Sequence, residues 1–392
     1  MADHTKIEWT DATWNVITGC SVVSPGCTNC YAMKLAGTRL RNIPSRAGLT
    51  RDSKAGPVWN GTIRFNEEWL DQPLRWRRPR MIFVCAHGDL FAEGVTDDML
   101  DQVFAVMALA PQHVFQVLTK RPVRMRDYLR TRAGDWMLHW PDAARKAGAL
   151  LGDMRTIKEL RLPLPNVWLG VSVEDQRRAD ERIPILLDTP AAVRWISAEP
   201  LLGPVDLTSI DTGSGWVDSL QSYIHYPMPS DGHFRNEPID WPHLDWIVAG
   251  GESGPSARPM HPEWVRSIRD QCAAAGVPFL FKQWGAWAPI CEMSEAATDR
   301  CYRSNRRAKE GESQKTVDES YGRTRIVPSH VLHRDGSQHD NTASMAFRQG
   351  TGAMTMFAIG KKSAGRLLDG QLHDAVPRGR DNGDDTRQET PA

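Results

Sequence analysis

Six short apolar runs, each closed by a polar turn, recur along the chain and restrict what it can fold into. They are RMIFVCAHGDLF (80–91), HVFQVLTKRP (113–122), NVWLGVSVED (166–175), VRWISAEPL (193–201), DWIVAGGESG (245–254) and VPFLFKQWG (277–285). Their apolar residues are β-branched or aromatic and run continuously rather than alternating, as in strands covered on both faces of a parallel sheet. Helical patterns lie between them. After Thr96 and Asp97, both good caps, Leu100, Val103, Phe104 and Met107 fall at i, i+3, i+4, i+7. After His261, Pro262 suits a first helical turn, and Val265, Ile268 and Cys272 form a stripe that ends near Gly276.

This alternation predicts an α/β fold, a partial or nearly complete (β/α) TIM-like barrel; an open doubly wound sheet has the same rhythm. ATWNVITGC supplies the first strand. Polar turn residues then gather at the C-terminal strand ends, where barrels build their sites. The barrel core is expected over 1–287, with a helix-rich insertion at 131–163 and a polar-aromatic loop at 207–243 placed as a lid. A C-terminal extension, 288–376, reads as partly flexible, with GKKSAGRLLDG (360–370) as a helix. The tail, 377–392, reads as disordered.

No run of about 18 apolar residues exists to span a membrane, and MADHTKIEWT has no apolar signal region. A cytoplasmic location follows as the expectation. In that reducing compartment clustered cysteines read as metal-binding or catalytic, not as disulfides. Three of the seven cysteines, Cys20, Cys27 and Cys30, stand at C-x6-C-x2-C in TGCSVVSPGCTNCYA. Cys272 on its stripe and Cys85 within a strand read as core residues. Cys291 and Cys301 stand apart.

Structural zinc is four-coordinate and built from two ligand pairs. Cys27 and Cys30 make one pair, and no second CxxC or HxxxH follows, so zinc would need a distant fourth ligand. The other candidate is a 4Fe-4S cluster, which suits thiolates. Three thiolates leave one iron open to a small molecule. An amino-acid end would chelate that iron, and S-adenosylmethionine has one beside a sulfonium bond that a single electron could break. The resulting 5′-deoxyadenosyl radical abstracts hydrogen from unreactive carbons, and the hard chemistry belongs to the cofactors.

The cysteine loop after a first strand, with an aromatic following the last cysteine (CTNCY), resembles the radical S-adenosylmethionine superfamily. The superfamily's commonest spacing is C-x3-C-x2-C; the first gap here is longer. The set KIEWTDATWN, SPGCTNCYA, GDLF, LTKRP, GVSVED, SAEPLLGP, AGGESG and FKQWG resembles more closely a phage-associated family of uncharacterised proteins, distantly similar to spore photoproduct lyase. The resemblance spans roughly residues 5–287 and 360–376. It implies that Cys20, Cys27 and Cys30 hold the cluster as metal ligands. Gly88 and Asp89 take the place of the superfamily's GGE turn, which holds the methionine amine, although only one Gly and an Asp stand here. Ser172 and Glu174 fall where the superfamily contacts the ribose or carboxylate of the ligand, and Glu199 ends the fifth strand.

Each of these also has a plain structural reading. Gly88-Asp89 is a strand-to-helix turn, and Ser172 and Glu174 are favourable helix N-terminal residues. Thr119, Lys120 and Arg121 could hold a substrate phosphate or the ligand's carboxylate, or face solvent. AGGESG suggests close backbone approach to a bound group. Lys282, Gln283 and Trp284 could line a pocket or be buried for packing. His87 and His113, inside strand patterns, read as satisfied structural histidines.

No nucleophile elbow occurs, since GVSVE lacks the second glycine, and no G-x-G-x-x-G follows a strand. Net charge is zero, but residues 31–80 hold eleven Lys/Arg against four Asp/Glu, with Trp59, Trp69 and Trp76 interleaved. That region reads either as helix ends and solvated faces or as a surface meeting phosphates and bases. The expected activity is therefore that of a radical S-adenosylmethionine enzyme acting on a nucleic-acid base or nucleotide, DNA included. Its electrons would come from a flavodoxin- or ferredoxin-like reductant. A peptide or small metabolite would fit the sequence equally. A non-catalytic, zinc-stabilised nucleic-acid-binding protein is the alternative. A metal-dependent hydrolase ranks last, with few histidines at strand ends.

Overall fold

In the computed structural model, which describes residues 5, 7–147, 162–227, 234–238 and 241–377, all six runs and ATW enter one sheet. Its strands are β1 Ala12–Trp14, β2 Met81–Val84, β3 Val114–Thr119, β4 Val167–Ser172, β5 Val193–Ala198, β6 Trp246–Gly250 and β7 Phe279–Gln283. Every neighbouring pair is parallel, and the strands stand side by side in chain order. A doubly wound sheet reverses its strand order at a switch point; this one does not, and it curls into a half barrel. The first strand is shorter than ATWNVITGC: Ile17–Thr18 leaves the main sheet to pair antiparallel with Arg64–Phe65.

Helices α1 Tyr31–Gly37, α2 Asp97–Leu109, α3 Pro122–Lys146, α4 Gln176–Leu187 and α5 Pro262–Ala275 complete the scaffold. The Thr96 hydroxyl accepts from the Met99 amide to cap α2. His261 Nδ1 accepts from the Glu263 amide to cap α5, which ends at Gly276 in the left-handed region, φ +69°. The outward residues Ile82, Val84, Phe115, Val117, Leu169, Val171, Ile196 and Ile247 share one buried cluster with apolar residues of α2 to α5. Each such side chain contributes roughly 1.5–3 kcal/mol by burial.

The inward face explains the missing alternation. Trp168, Trp195 and Trp246 point into the curl and pack with Trp9. Trp9 meets Phe83, Trp195 and Trp246 edge-on, with centroids 4.9, 5.3 and 5.7 Å away. These edge-to-face contacts suit an indole whose Nε1 has no nitrogen or oxygen partner. Gly170 in β4 is required beneath this group, because a Cβ there would stand 2.5 Å from the Trp195 ring.

At the periphery the expected helix-rich character of 131–163 is met where it is described, and two other expectations are corrected. The described part of 131–163 is mostly the continuation of α3, one 25-residue helix; residues 148–161 lie outside the described residues. The described part of 207–243 packs on the outside of the fold and not as a lid. Its strands Ile210–Asp211, Trp216–Asp218, Tyr223–Pro227 and Phe234–Pro238 form a separate antiparallel sheet. Leu207, Ile210, Val217 and Leu220 join the same outer core as Ile183 and Leu186 of α4.

The extension 288–376 is built into the fold. Leu332, Met356 and Leu368 are core residues, and the Phe281 amide donates to the His373 carbonyl at 2.9 Å. The helix in 360–370 is only Lys361–Ala364. Residues 378–392 of the expected disordered tail lie outside the described residues. No helix among the described residues is long and apolar enough to cross a membrane.

Candidate active site in the half barrel

The cysteine loop leaves β1 through close backbone contacts. Gly19 (φ +94°) bridges Gly88; a Cβ on Gly19 would stand 2.2 Å from the Thr62 carbonyl oxygen, and one on Gly88 2.8 Å from that of Ile17. Gly88 is thus where the turn after β2 meets the root of the loop. Beyond it, Cys20, Cys27 and Cys30 all line one cavity of about 570 Å³ at the C-terminal strand ends. Asp89, Thr119, Lys120, Arg121, Ser172, Ser197, Glu199, Glu252, Lys282 and Gln283 line it too, with the rings of Trp9, Tyr31, Trp59, Phe83 and His87.

Each cysteine has a neighbour in the loop held by an acid–arginine pair from a different part of the scaffold. Beside Cys20, Ser21 accepts from Arg121 Nη2 through its hydroxyl (2.5 Å) and its carbonyl (3.2 Å). Arg121 is itself fixed by Asp89 and Glu93, at 2.9 Å each. Ahead of Cys27, Ser24 donates to Glu174 Oε1 at 2.6 Å, and Glu174 pairs with Arg182 at 2.9 Å and Lys120 at 3.1 Å. Beside Cys30, Asn29 donates to Glu252 at 2.9 Å. Glu252 pairs with Arg258, whose Nη2 reaches the Pro25 carbonyl at 3.0 Å. The loop is pinned from the β2–β3, β4 and β6 sides.

Burial and nearby Asp89 push the Cys20 thiol up to about 12, against the pull of Arg121, which donates to its sulfur at 3.5 Å. Burial raises Cys30 likewise. Such thiols keep their protons at neutral pH unless a metal displaces them. Burial also acts to raise Glu174, but Lys120, Arg182 and Ser24 outweigh it and hold the carboxyl below its usual range. Three thiols of one loop opening on one cavity fit a group bound through thiolates. Among the described residues no three His, Cys, Asp or Glu side chains are gathered closely enough to hold one metal ion. A cubane, met by each thiolate at its own iron, does not need that closeness.

The remaining expected site residues divide. Asp89 is on the wall, but its carboxylate is engaged: it accepts from Thr119 Oγ1 (2.7 Å), the Lys120 amide (3.2 Å) and Arg121. Ser172 is on the wall, and its carbonyl accepts from Arg182. Glu174, fully buried, is not on the wall; it stands behind the loop, where a Cβ on Gly26 would come within 2.3 Å of its Oε1. Glu199 accepts from Lys282 and Gln283. Trp284 turns away and donates to the Leu367 carbonyl at 2.7 Å. In AGGESG Gly251 lies on the cavity wall and is required by a close approach to protein: a Cβ on it would stand 2.0 Å from the Trp284 carbonyl oxygen.

His113 is buried with its Nε2 3.1 Å from the Pro73 carbonyl oxygen, but its Nδ1 has no partner, so the expectation of a satisfied histidine is met only in part. His87 is not the satisfied residue expected: it lines the cavity, its Nδ1 has no partner, and burial drives its pKa down to about 4. Cys85 lies just past β2 at φ +59°, buried yet on the same wall, rather than inside the strand. The basic region splits as well. Arg46 is buried against Ser45, while Arg39, Arg41, Arg51 and Lys54 are exposed on the lobe that carries Trp59. Sequence reading missed Glu252, Arg258 and Arg182, and no local signal could have found them, since Ser24–Glu174 and Asn29–Glu252 join residues 150 and 223 positions apart.

Compared with known families, residues 4–377 match a family model described as a protein of unknown function, DUF5131. No curated protein and no solved structure matches.

Proposed function

The chain belongs to the DUF5131 family, whose function is unknown, and from its cavity we propose a radical S-adenosylmethionine enzyme acting on a nucleic-acid base or nucleotide. The observation that carries this is the sharing of one cavity by Cys20, Cys27 and Cys30 with the C-terminal ends of parallel strands in a half barrel. A 4Fe-4S cluster on these thiolates, with S-adenosylmethionine on its remaining iron, would supply one-electron cleavage of the sulfonium and a carbon radical for hydrogen abstraction.

The chain's own residues have distinct tasks in this reading. The three acid–arginine pairs hold the loop before anything binds, so little ordering is left for the moment of binding. Arg121 supplies an N–H to the Cys20 sulfur. Ser172, Thr119 and Lys120 offer polar contacts for the ribose and carboxylate of the ligand. Trp9, Phe83 and Leu118 give an apolar lining that excludes water. Aromatic rings on the walls suit a stacked base, and Arg39, Arg41, Arg51 and Lys54 on the adjacent lobe suit phosphates. Val22 and Val23, 47% and 42% exposed on the cysteine loop, offer an apolar approach for a flavodoxin- or ferredoxin-like reductant.

The test is anaerobic purification, reconstitution with iron and sulfide, reduction with dithionite, and assay for 5′-deoxyadenosine from S-adenosylmethionine. About four irons and four sulfides per chain with 5′-deoxyadenosine formed, both lost in Cys20→Ala, is the expected result. A colourless protein that takes up one zinc and yields no 5′-deoxyadenosine overturns the proposal in favour of a zinc-stabilised nucleic-acid-binding protein.

A further inference from the structure

The β5–β7 side of the cavity holds an arrangement that the cysteine chemistry does not use. Glu199, one residue beyond β5, accepts from Lys282 Nζ through both oxygens, at 3.0 and 2.9 Å, and from Gln283 Nε2 at 3.1 Å. The pair closes across β6 at its inward glycine: the atoms nearest to where a Gly250 Cβ would stand include Lys282 Cβ at 3.4 Å and Glu199 Cδ at 3.5 Å. The Lys282 and Glu199 side chains are 16% and 19% exposed, and both residues line the cavity.

Neither group is saturated by the other. An ammonium has three donors, and the two bonds from Nζ both go to Glu199. Oε2 accepts one bond where a carboxylate oxygen can take about two. One donor and one acceptor direction therefore remain side by side, 2.9 Å apart at their heavy atoms. An anionic ligand would be repelled by Glu199 and a cationic one by Lys282. An uncharged edge that sets an acceptor next to a donor satisfies both. Every nucleobase has such an edge on its Watson–Crick side, the side by which an unstacked base is read. A carboxamide offers the same two groups, but it lacks the flat faces that the rings of Trp9, Tyr31, Trp59, Phe83 and His87 in this cavity would match.

We propose that Glu199 and Lys282 together read the acceptor–donor edge of an uncharged nucleobase and so select the substrate. The inference rests on the nucleic-acid substrate proposed above and not on the cluster.

Calorimetric titration of the purified chain with the four 2′-deoxynucleosides tests it, alongside thymidine methylated at N3, which removes the ring donor. Thymidine, with a carbonyl facing Lys282 and its N3–H facing Glu199, is expected to bind, and the methylated form to bind at least about tenfold more weakly. Glu199→Gln and Lys282→Met should each lose a similar factor, and the double variant little more than the worse single one, because the two act as a unit. Methylated thymidine binding as tightly as thymidine overturns the inference and needs no variant. So does wild-type affinity in both variants at unchanged unfolding midpoints, equal affinity for a ringless primary amide such as propionamide, or no nucleoside binding at all. Iron content and 5′-deoxyadenosine are read separately. A colourless chain that binds thymidine and rejects its N3-methylated form sinks only the radical reading, and a cluster-bearing one that cleaves S-adenosylmethionine but ignores nucleosides sinks only this one.

Discussion

The guanidinium of Arg121 stands 3.5 Å from the sulfur of Cys20 through Nη1, the nitrogen that also pairs with Asp89, while Nε is committed to Glu93 and Nη2 to Ser21. Its position is therefore set before any group binds, and it presents an N–H and a positive charge to that sulfur. Hydrogen bonds to cluster sulfurs and nearby positive charge favour the reduced state. In the iron-loaded protein Arg121→Gln should shift the reduction potential negative by about 60 mV, a tenfold change in a one-electron equilibrium. Spectroscopically monitored titration checks this, and an unchanged potential would separate Arg121 from the cluster.

Glu174 is buried between Lys120 and Arg182. Glu174→Gln leaves the buried Arg182 and the half-buried Lys120 without their anion, and the expected loss is about 3–5 kcal/mol in urea unfolding. The Ser24 anchor goes with it, so Cys27 should react faster with a thiol reagent. Because the Glu174 pKa is lowered in the fold, its stabilisation is fully present above the ordinary carboxyl range, near 4.5, and lost as pH falls through the lower folded value. A loss under 1 kcal/mol would show that the loop is held elsewhere.

Gly26 faces the same carboxylate. Gly26→Ala drives a methyl to within 2.3 Å of Glu174 Oε1, and overpacking of this kind costs about 1–3 kcal/mol. Combined with Glu174→Gln, its cost should be less than the sum of the two, since both disturb one contact. Strict additivity in denaturation would mean that the two residues do not meet.

His87 gives the same pH trend from a different cause, the burial of its neutral form. Its pKa is about 4 in the fold against an ordinary 6.5, chiefly from burial. The unfolded chain therefore binds the extra proton between those values, and stability should rise with pH across that window. His87→Gln should flatten this part of the pH–stability profile. An unaltered profile would show that His87 is solvated.

The exposed cations of the lobe bear on the polymer. Replacing Arg39, Arg41, Arg51 and Lys54 with alanine should lower the slope of log K against log salt for single-stranded DNA by about 0.7 for each phosphate that the lobe no longer neutralises. Nucleoside binding in the cavity should be unaffected. An unchanged salt slope would remove the lobe from the interface.

The barrel was legible because its strands are apolar on both faces and its turns polar, a pattern written locally in each segment. Even so, the inward tryptophans could not be told from core residues, since Trp195 belongs over Gly170 only once β4 and β5 are paired. The cysteine loop and most of the wall residues were legible from their positions at strand ends. Glu174 was misjudged because its two neighbours, Ser172 on the wall and Lys120 across the sheet, do not reveal which side of the loop the carboxylate occupies. The lid at 207–243 failed because polarity does not distinguish a mouth from an outer edge.

Both edges of the half barrel are fastened by pieces of chain far apart in sequence: Lys361, on the cavity wall, pairs with Glu8 at 3.3 Å, and the His373 carbonyl bonds to β7. A ribosome delivers all seven strands and all three cysteines well before it reaches residue 361. Through that interval neither edge of the half barrel has its fastening, so the two contacts are among the last that the emerging chain can make.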